Sequence, residues 1–273
     1  MRMDRRAAWW VGGGVLAMSL AAAAAAPVRV LSVSPSGAVV PENLLRLSVH
    51  FDAPPTGRVL ARLALVGRDG RPLPEPFLEQ ELWSPDGLTL TVLLHPGRVK
   101  TGLVARQAWG PILVTGDEVE LTFDGRPLRR WSVGPRDEQG PVPAAWALSA
   151  VRAGRREPLV VRLDAPIDAL DAGYLAIVDE RRRRVAGHAV LLDGETTWRF
   201  TPALPWRTGA YRLLARGTLE DASGNRVNGR FETGADERPG RPADVEIPFD
   251  VAAGAARSLT QDSSFGKHGG HGE

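Results

Sequence analysis

The stretch "VHFDAPP", Val49–Pro55, returns as "VRLDAPI", Val161–Ile167, 112 positions later. Each copy closes a run in which apolar and polar residues alternate, the period-two signature of a half-buried strand. Proline cannot donate to a strand ladder, so Asp-Ala-Pro marks a strand end or a sheet edge in both places. The repetition predicts two copies of one small module.

Working outward from the first copy, "LLRLSVHF" (Leu44–Phe51), "VLARLALV" (Val59–Val66), "LTLTVLL" (Leu88–Leu94) and "VELTF" (Val119–Phe123) all read as strands. Turn formers separate them: Arg68-Asp69-Gly70, Ser84-Pro85-Asp86-Gly87 and Asp124-Gly125. The order recurs in "PLVVRLDAP", "YLAIVDE", "TTWRFTP", "YRLLARG" and "GRFETG". Short strands at this spacing with no long helical pattern predict an all-β chain of two tandem antiparallel β-sandwiches. The expected limits are residues 27–134 and 144–234. A Pro/Gly-rich linker, "PRDEQGPVP", covers 135–143, and an extension at 235–273, largely disordered by composition, holds one edge-strand candidate, "VEIPFDV".

Residues 1–26 read as a secretory signal: Arg2, Arg5 and Arg6 precede an apolar run that ends in alanines. A transmembrane anchor is the competing reading, but the run is short and has no flanking charge at its end. The sequence has 34 basic and 32 acidic residues; removing three arginines and Asp4 with the signal leaves 31 of each. A neutral chain with interspersed signs lacks the electrostatic footprint of a nucleic-acid binder. There is no cysteine, which excludes disulfides and thiol chemistry. The expectation is an exported protein of the periplasm, the cell surface or the exterior, with no anchor once the signal is cleaved.

"VLSVSPSGAVVPENLLRLSVHFDAP" followed by "TWRFTPALPWRTGAYRLLARGTLEDASGN" resembles the SbsA-type Ig-like domain of bacterial S-layer proteins. The match is clearest at Phe200-Thr201-Pro202, Gly209, Tyr211, Leu219, Asp221 and Gly224-Asn225. The resemblance implies two tandem Ig-like antiparallel β-sandwich domains, acting as a spacer or binding module, and no reaction. The opening is also similar to periplasmic copper-binding CopC-like domains, but Ala26-Pro27-Val28-Arg29 offers no histidine, and no methionine follows Met18.

The first copy departs from the second at "RVKTGLVARQAWGPILVT", Arg98–Thr115. His95, Arg98, Lys100, Arg106 and Trp109 gather there, and an aromatic among cations on a long loop suits an anion or a sugar ring. A covering loop whose Trp packs on the sandwich edge is the competing reading. "LEDASGNR", Leu219–Arg226, has oxygen donors of the kind Ca²⁺ takes, but Gly224-Asn225 more simply makes a turn. His268 and His271 are the nearest thing to a metal-ligand pair, in a flexible glycine tail, so no metal site and no cofactor are expected. "DERRRRV" reads as a solvated hairpin turn, and the scattered tryptophans as packing residues. No G-x-S-x-G, H-E-x-x-H, S-x-x-K or phosphate-loop pattern occurs, and no catalytic residue is assigned. The expected role is a non-catalytic scaffold or binding module for an envelope protein or glycan; the alternative is a periplasmic metal- or small-ligand-binding protein.

Overall fold

The computed structural model describes residues 28–101, 103–227, 229 and 243–253. The signal segment and the histidine tail lie outside them.

The first module has eight strands: β1 (Val30–Ser34), β2 (Val39–Pro41), β3 (Arg46–Phe51), β4 (Leu63–Gly67), β5 (Leu82–Trp83), β6 (Thr89–Leu93), β7 (Glu118–Phe123) and β8 (Arg126–Gly134). They form two sheets, ordered β1-β3-β6-β5 and β2-β8-β7-β4, with β2 parallel to β8 and every other pairing antiparallel. The second module has β9 (Ala147–Leu148), β10 (Leu159–Arg162), β11 (Leu175–Asp179), β12 (Gly187–Leu192), β13 (Thr197–Pro202), β14 (Gly209–Ala215) and β15 (Val245–Val251). Its sheets run β12-β13-β10-β9 and β11-β14-β15. Lettered in chain order, these are the ABED and CFG sheets of an immunoglobulin sandwich, with the first strand of module one split across both sheets. The chain is a tandem pair of Ig-like domains.

Each sandwich has its own core. Phe51, Leu65, Leu90, Leu121 and Trp131 fill the first, and Leu159, Ile177, Trp198, Trp206 and Leu213 the second. Trp131, Trp146, Trp198 and Trp206 are buried, and each indole N–H finds an oxygen acceptor: the Pro35 carbonyl, Asp164, the Ala172 carbonyl and the Glu157 carbonyl. Tyr211, at the start of β14, donates its hydroxyl to the Arg207 carbonyl at 3.2 Å, the tyrosine corner expected where strand F begins.

The repeated Asp-Ala-Pro has a shared structural job. Both copies sit at the corner leaving the second strand of the fold, after β3 and after β10. Asp52 accepts from the backbone N–H of Arg29 at 2.8 Å and from its Nε at 3.0 Å. Asp164 accepts from the N–H of Val142 and, at 2.7 Å, from the Trp146 indole. In each module the aspartate fastens the incoming chain to the sandwich end, and the proline stops the strand.

One boundary moves. The expected seventh strand of module two, "GRFETG", falls almost wholly outside the described residues. The strand that pairs with β14 is β15, "VEIPFDV", in antiparallel register from Gly209–Val251 to Ala215–Val245. The second sandwich therefore extends beyond residue 234 and draws its last strand from the stretch read as extension. As expected for that segment, β15 is an edge strand, with Phe249 stacked on Tyr211 at 5.7 Å.

Candidate functional site

Between β6 and β7, the connection from strand E to strand F, the long insertion folds into two short helices, α1 (Pro96–Val99) and α2 (Val104–Trp109). His95 caps α1, its Nδ1 accepting from the Gly97 N–H at 3.2 Å, and Pro96 stands at the first helical position. Gly110 ends α2 at φ 75°, where a side chain would be strained.

The cations of this loop are not an open cluster. Arg98 is only 3% exposed, and its guanidinium donates to the carbonyls of Pro74, Glu75, Gly110 and Pro111. Arg106 donates to the carbonyls of Arg98 and Val99. Both arginines thus staple the hairpin together. Lys100 closes α1, its N–H donating to the Pro96 carbonyl. The hairpin shows large apolar side chains to solvent: α2 buries none of its residues, and Leu103, Val104 and Trp109 are 40%, 79% and 58% exposed. The Trp109 and His95 rings meet edge to face at 6.4 Å beside a groove of about 490 Å³ bordered by Arg58, Glu75, Phe77 and Glu79. Of the five residues expected to share a binding surface, His95 and Trp109 border one groove, while Arg98 and Arg106 brace the hairpin through backbone carbonyls.

Sequence reasoning missed the second charged region, the joint between the sandwiches. Three loops of module two converge on module one: the β10–β11, β12–β13 and β14–β15 connections. In an immunoglobulin sandwich these are the BC, DE and FG loops, which cluster at one end. Arg46, at the start of β3, reaches across to Asp168 and to Glu220, the latter at 2.6 Å, and donates to the Asp221 carbonyl at 3.1 Å. The N–H groups of Leu45 and Arg46 both donate to the Ala222 carbonyl, and Ala222 packs against the first core. Glu195 accepts from the Ser36 N–H at 2.8 Å and the Ser34 hydroxyl at 3.1 Å. It does so from a left-handed backbone, φ 62°, after Gly194, where an added Cβ would stand 3.0 Å from Gly37. The linker joins in: the Asp137 carbonyl accepts amide N–H from Asn43 of module one and Asn225 of module two, at 2.7 and 2.9 Å. A void of about 10 Å³ is what remains where Arg46, Asp168, Glu195 and Ala222 meet.

Electrostatics at the joint follow from burial. Asp168 and Glu220 more than offset the cost of burying Arg46 and hold its guanidinium above its ordinary range. Asp171 has no ion pair of its own among the described residues; burial pushes it up to about 6, although the Glu220 N–H donates to it at 2.7 Å. Asp221 is pushed up to about 7 by burial, against donations from the N–H groups of Ser223 and Asn225 and the Asn225 side chain. The "LEDASGNR" segment is therefore a turn, as expected, and also a docking element. The two charged regions touch: Glu42 accepts from Thr115 of the insertion at 3.0 Å and lies 3.5 Å from Arg136 of the linker, which donates to the Val99 carbonyl.

No protein-family model and no curated protein matches the chain. Among solved structures, it is similar to the I67–I69 I-band fragment of titin, at 10% identity over 84% of this chain and 66% of that one, with a TM-score of 0.24. It is similar also to the tandem Ig repeats of Dlar, at 11% identity over 73% of this chain and 92% of that one, TM-score 0.25. Likenesses this loose say nothing of function, and the Ig-like assignment stands on strand order and pairing.

Among the described residues no helix is long and apolar enough to cross a membrane. The four arginines at 181–184 occupy the turn after β11, where Asp179 accepts from the N–H groups of Arg181 and Arg183 and Arg182 pairs with Glu246 at 2.7 Å.

Proposed function

We propose that this chain is an exported, non-catalytic scaffold or binding module of the cell envelope, of the SbsA-type Ig-like kind, and that α1–α2 is its contact surface for an envelope protein or glycan. One observation carries the reading: a stapled hairpin holds Leu103, Val104 and Trp109 out in water, where isolated sandwiches normally place polar residues. Burying Arg98 and half-burying Arg106 to fix a loop with no buried apolar face on α2 makes sense if that face is used. The family reading is supported by Phe200-Thr201-Pro202 on β13, by the Tyr211 corner and by the Asp221–Asn225 turn. Domain two's loop end is occupied by domain one, so the pair presents the hairpin from a fixed base.

The test is affinity capture from fractionated envelope with the chain lacking residues 1–26 as bait, with and without chelator. A reproducible partner that is indifferent to chelator and is lost in Leu103→Ser/Val104→Ser/Trp109→Ala supports the proposal. Capture unchanged by those substitutions moves the contact surface elsewhere, and capture abolished by chelator favours a metal-dependent ligand-binding role.

A further inference from the structure

The joint contains more carboxylate than it can neutralise. Around Arg46 stand Asp168, Asp171 and Glu220, with Arg226 reaching Glu220 at 2.9 Å from the solvent side. Around Asp221 stand Ser223, Asn225 and the linker's Asp137, itself beside Asp164. The linker's own cation, Arg136, is turned toward Glu42 and Glu138. Asp221 is 2% exposed and has no ion pair among the described residues, and Asp171 shares Arg46 with two closer carboxylates. A buried carboxylate without a cation stays in place most easily when protonated.

We propose that the interdomain joint is a proton-linked latch, closed when Asp171 and Asp221 hold protons and loosened as they ionise, so that the angle between the sandwiches follows the acidity outside the cell membrane. Both groups are on module two, and both are covered by module one or the linker: the Asp221 carbonyl receives Arg46, Ala222 enters the first core, and Glu220 links Asp171 to Arg46. Opening the joint hydrates them and returns them toward ordinary carboxylate behaviour. Burial has raised both, so their contribution is fully present in acid, below the ordinary carboxylate range, and is lost as pH rises through about 6 and about 7. The direction is opposite to that of a salt-bridged aspartate such as Asp52, which is held below its ordinary value.

The chain has no cysteine, which permits a direct reading of opening. Ser48→Cys and Ser223→Cys place single thiols on the two sides of the seam, at positions 7% and 1% exposed. Each is labelled with a thiol reagent from pH 5 to 8.5 in the full chain, and each rate is divided by that of the denatured chain at the same pH. Protection of both thiols is expected to fall by at least about tenfold across that range, the equivalent of one pKa unit. With Asp171→Asn and Asp221→Asn together it stays flat, because the amides accept the same backbone N–H groups without charge. Flat protection in the parent chain overturns the proposal. A fall at Ser223→Cys alone overturns it too, since that is opening within one loop, as does a fall that persists in the double Asn variant.

Discussion

Replacing Arg46 by Ala should uncouple the two sandwiches. The guanidinium bridges Asp168 and Glu220 at the seam, and the three side chains are 20%, 6% and 18% exposed. Removing one partner of a buried pair typically costs about 3–5 kcal/mol, because the remaining charge is stranded. Water can reach a fifth of Arg46, so the cost falls to or just below the bottom of that range, about 2–3 kcal/mol. With a urea slope of roughly 2 kcal/mol per molar, the midpoint should fall by about 1–1.5 M. The assay is urea unfolding followed by tryptophan fluorescence, since Trp131 reports module one and Trp146, Trp198 and Trp206 report module two. One shared transition in the parent chain should become two in Arg46→Ala. Removing Asp168 and Glu220 as well, as Arg46→Ala/Asp168→Ala/Glu220→Ala, should restore part of the loss, because no charge is then left without a partner. An Arg46→Ala midpoint within about 0.2 M of the parent, or a triple variant worse than the single one, refutes the reasoning.

Within the insertion, Trp109→Ala should change stability by less than about 0.5 kcal/mol, whereas Arg98→Ala should cost about 2–3 kcal/mol by leaving buried carbonyls unmatched, both read from thermal unfolding. Tyr211→Phe, which keeps the ring and loses the corner hydrogen bond, should cost about 1 kcal/mol in the same measurement. A chain ended at residue 234 lacks β15 and should lose the near-ultraviolet dichroism of module two, while a chain ended at residue 253 should keep it. Stability of the parent chain should decline as pH rises from the ordinary carboxylate range, about 4, to about 7, the sign given by the raised Asp171 and Asp221, and a rise over that interval would contradict the burial argument.

Much of the fold was legible because strand alternation and turn chemistry are local. Asp52-Ala53-Pro54 and Asp164-Ala165-Pro166 marked the same corner twice, and β6 and β13 fell on the runs "LTLTVLL" and "TTWRFTP". The last strand of module two was harder, since a proline-rich stretch precedes β15 and Pro248 interrupts its own pattern, which reads as an edge and not as the completion of a sheet. The joint was not legible. Arg46 and Glu220 lie 174 positions apart, and no local pattern says that an arginine beginning a strand will point at another domain. Arg98 misled for a related reason: arginines are ordinarily solvated, and the carbonyls that receive this one come from residues 74–75 and 110–111, which only the folded hairpin brings together. A usable signal was there in retrospect, because all three loops at one end of module two, at Asp168, Glu195 and Glu220-Asp221, carry acids.

That the two Ig-like domains form one coupled body is tested most directly by amide hydrogen exchange on the full chain. The N–H groups of Ser36, Leu45 and Arg46, which donate to Glu195 and to the Ala222 carbonyl across the seam, should exchange as slowly as those of the paired strands β3 and β6. If these three amides exchange as fast as the exposed turn at Gly125 while the strands stay protected, the sandwiches are independent beads on a linker and the account of the joint is wrong.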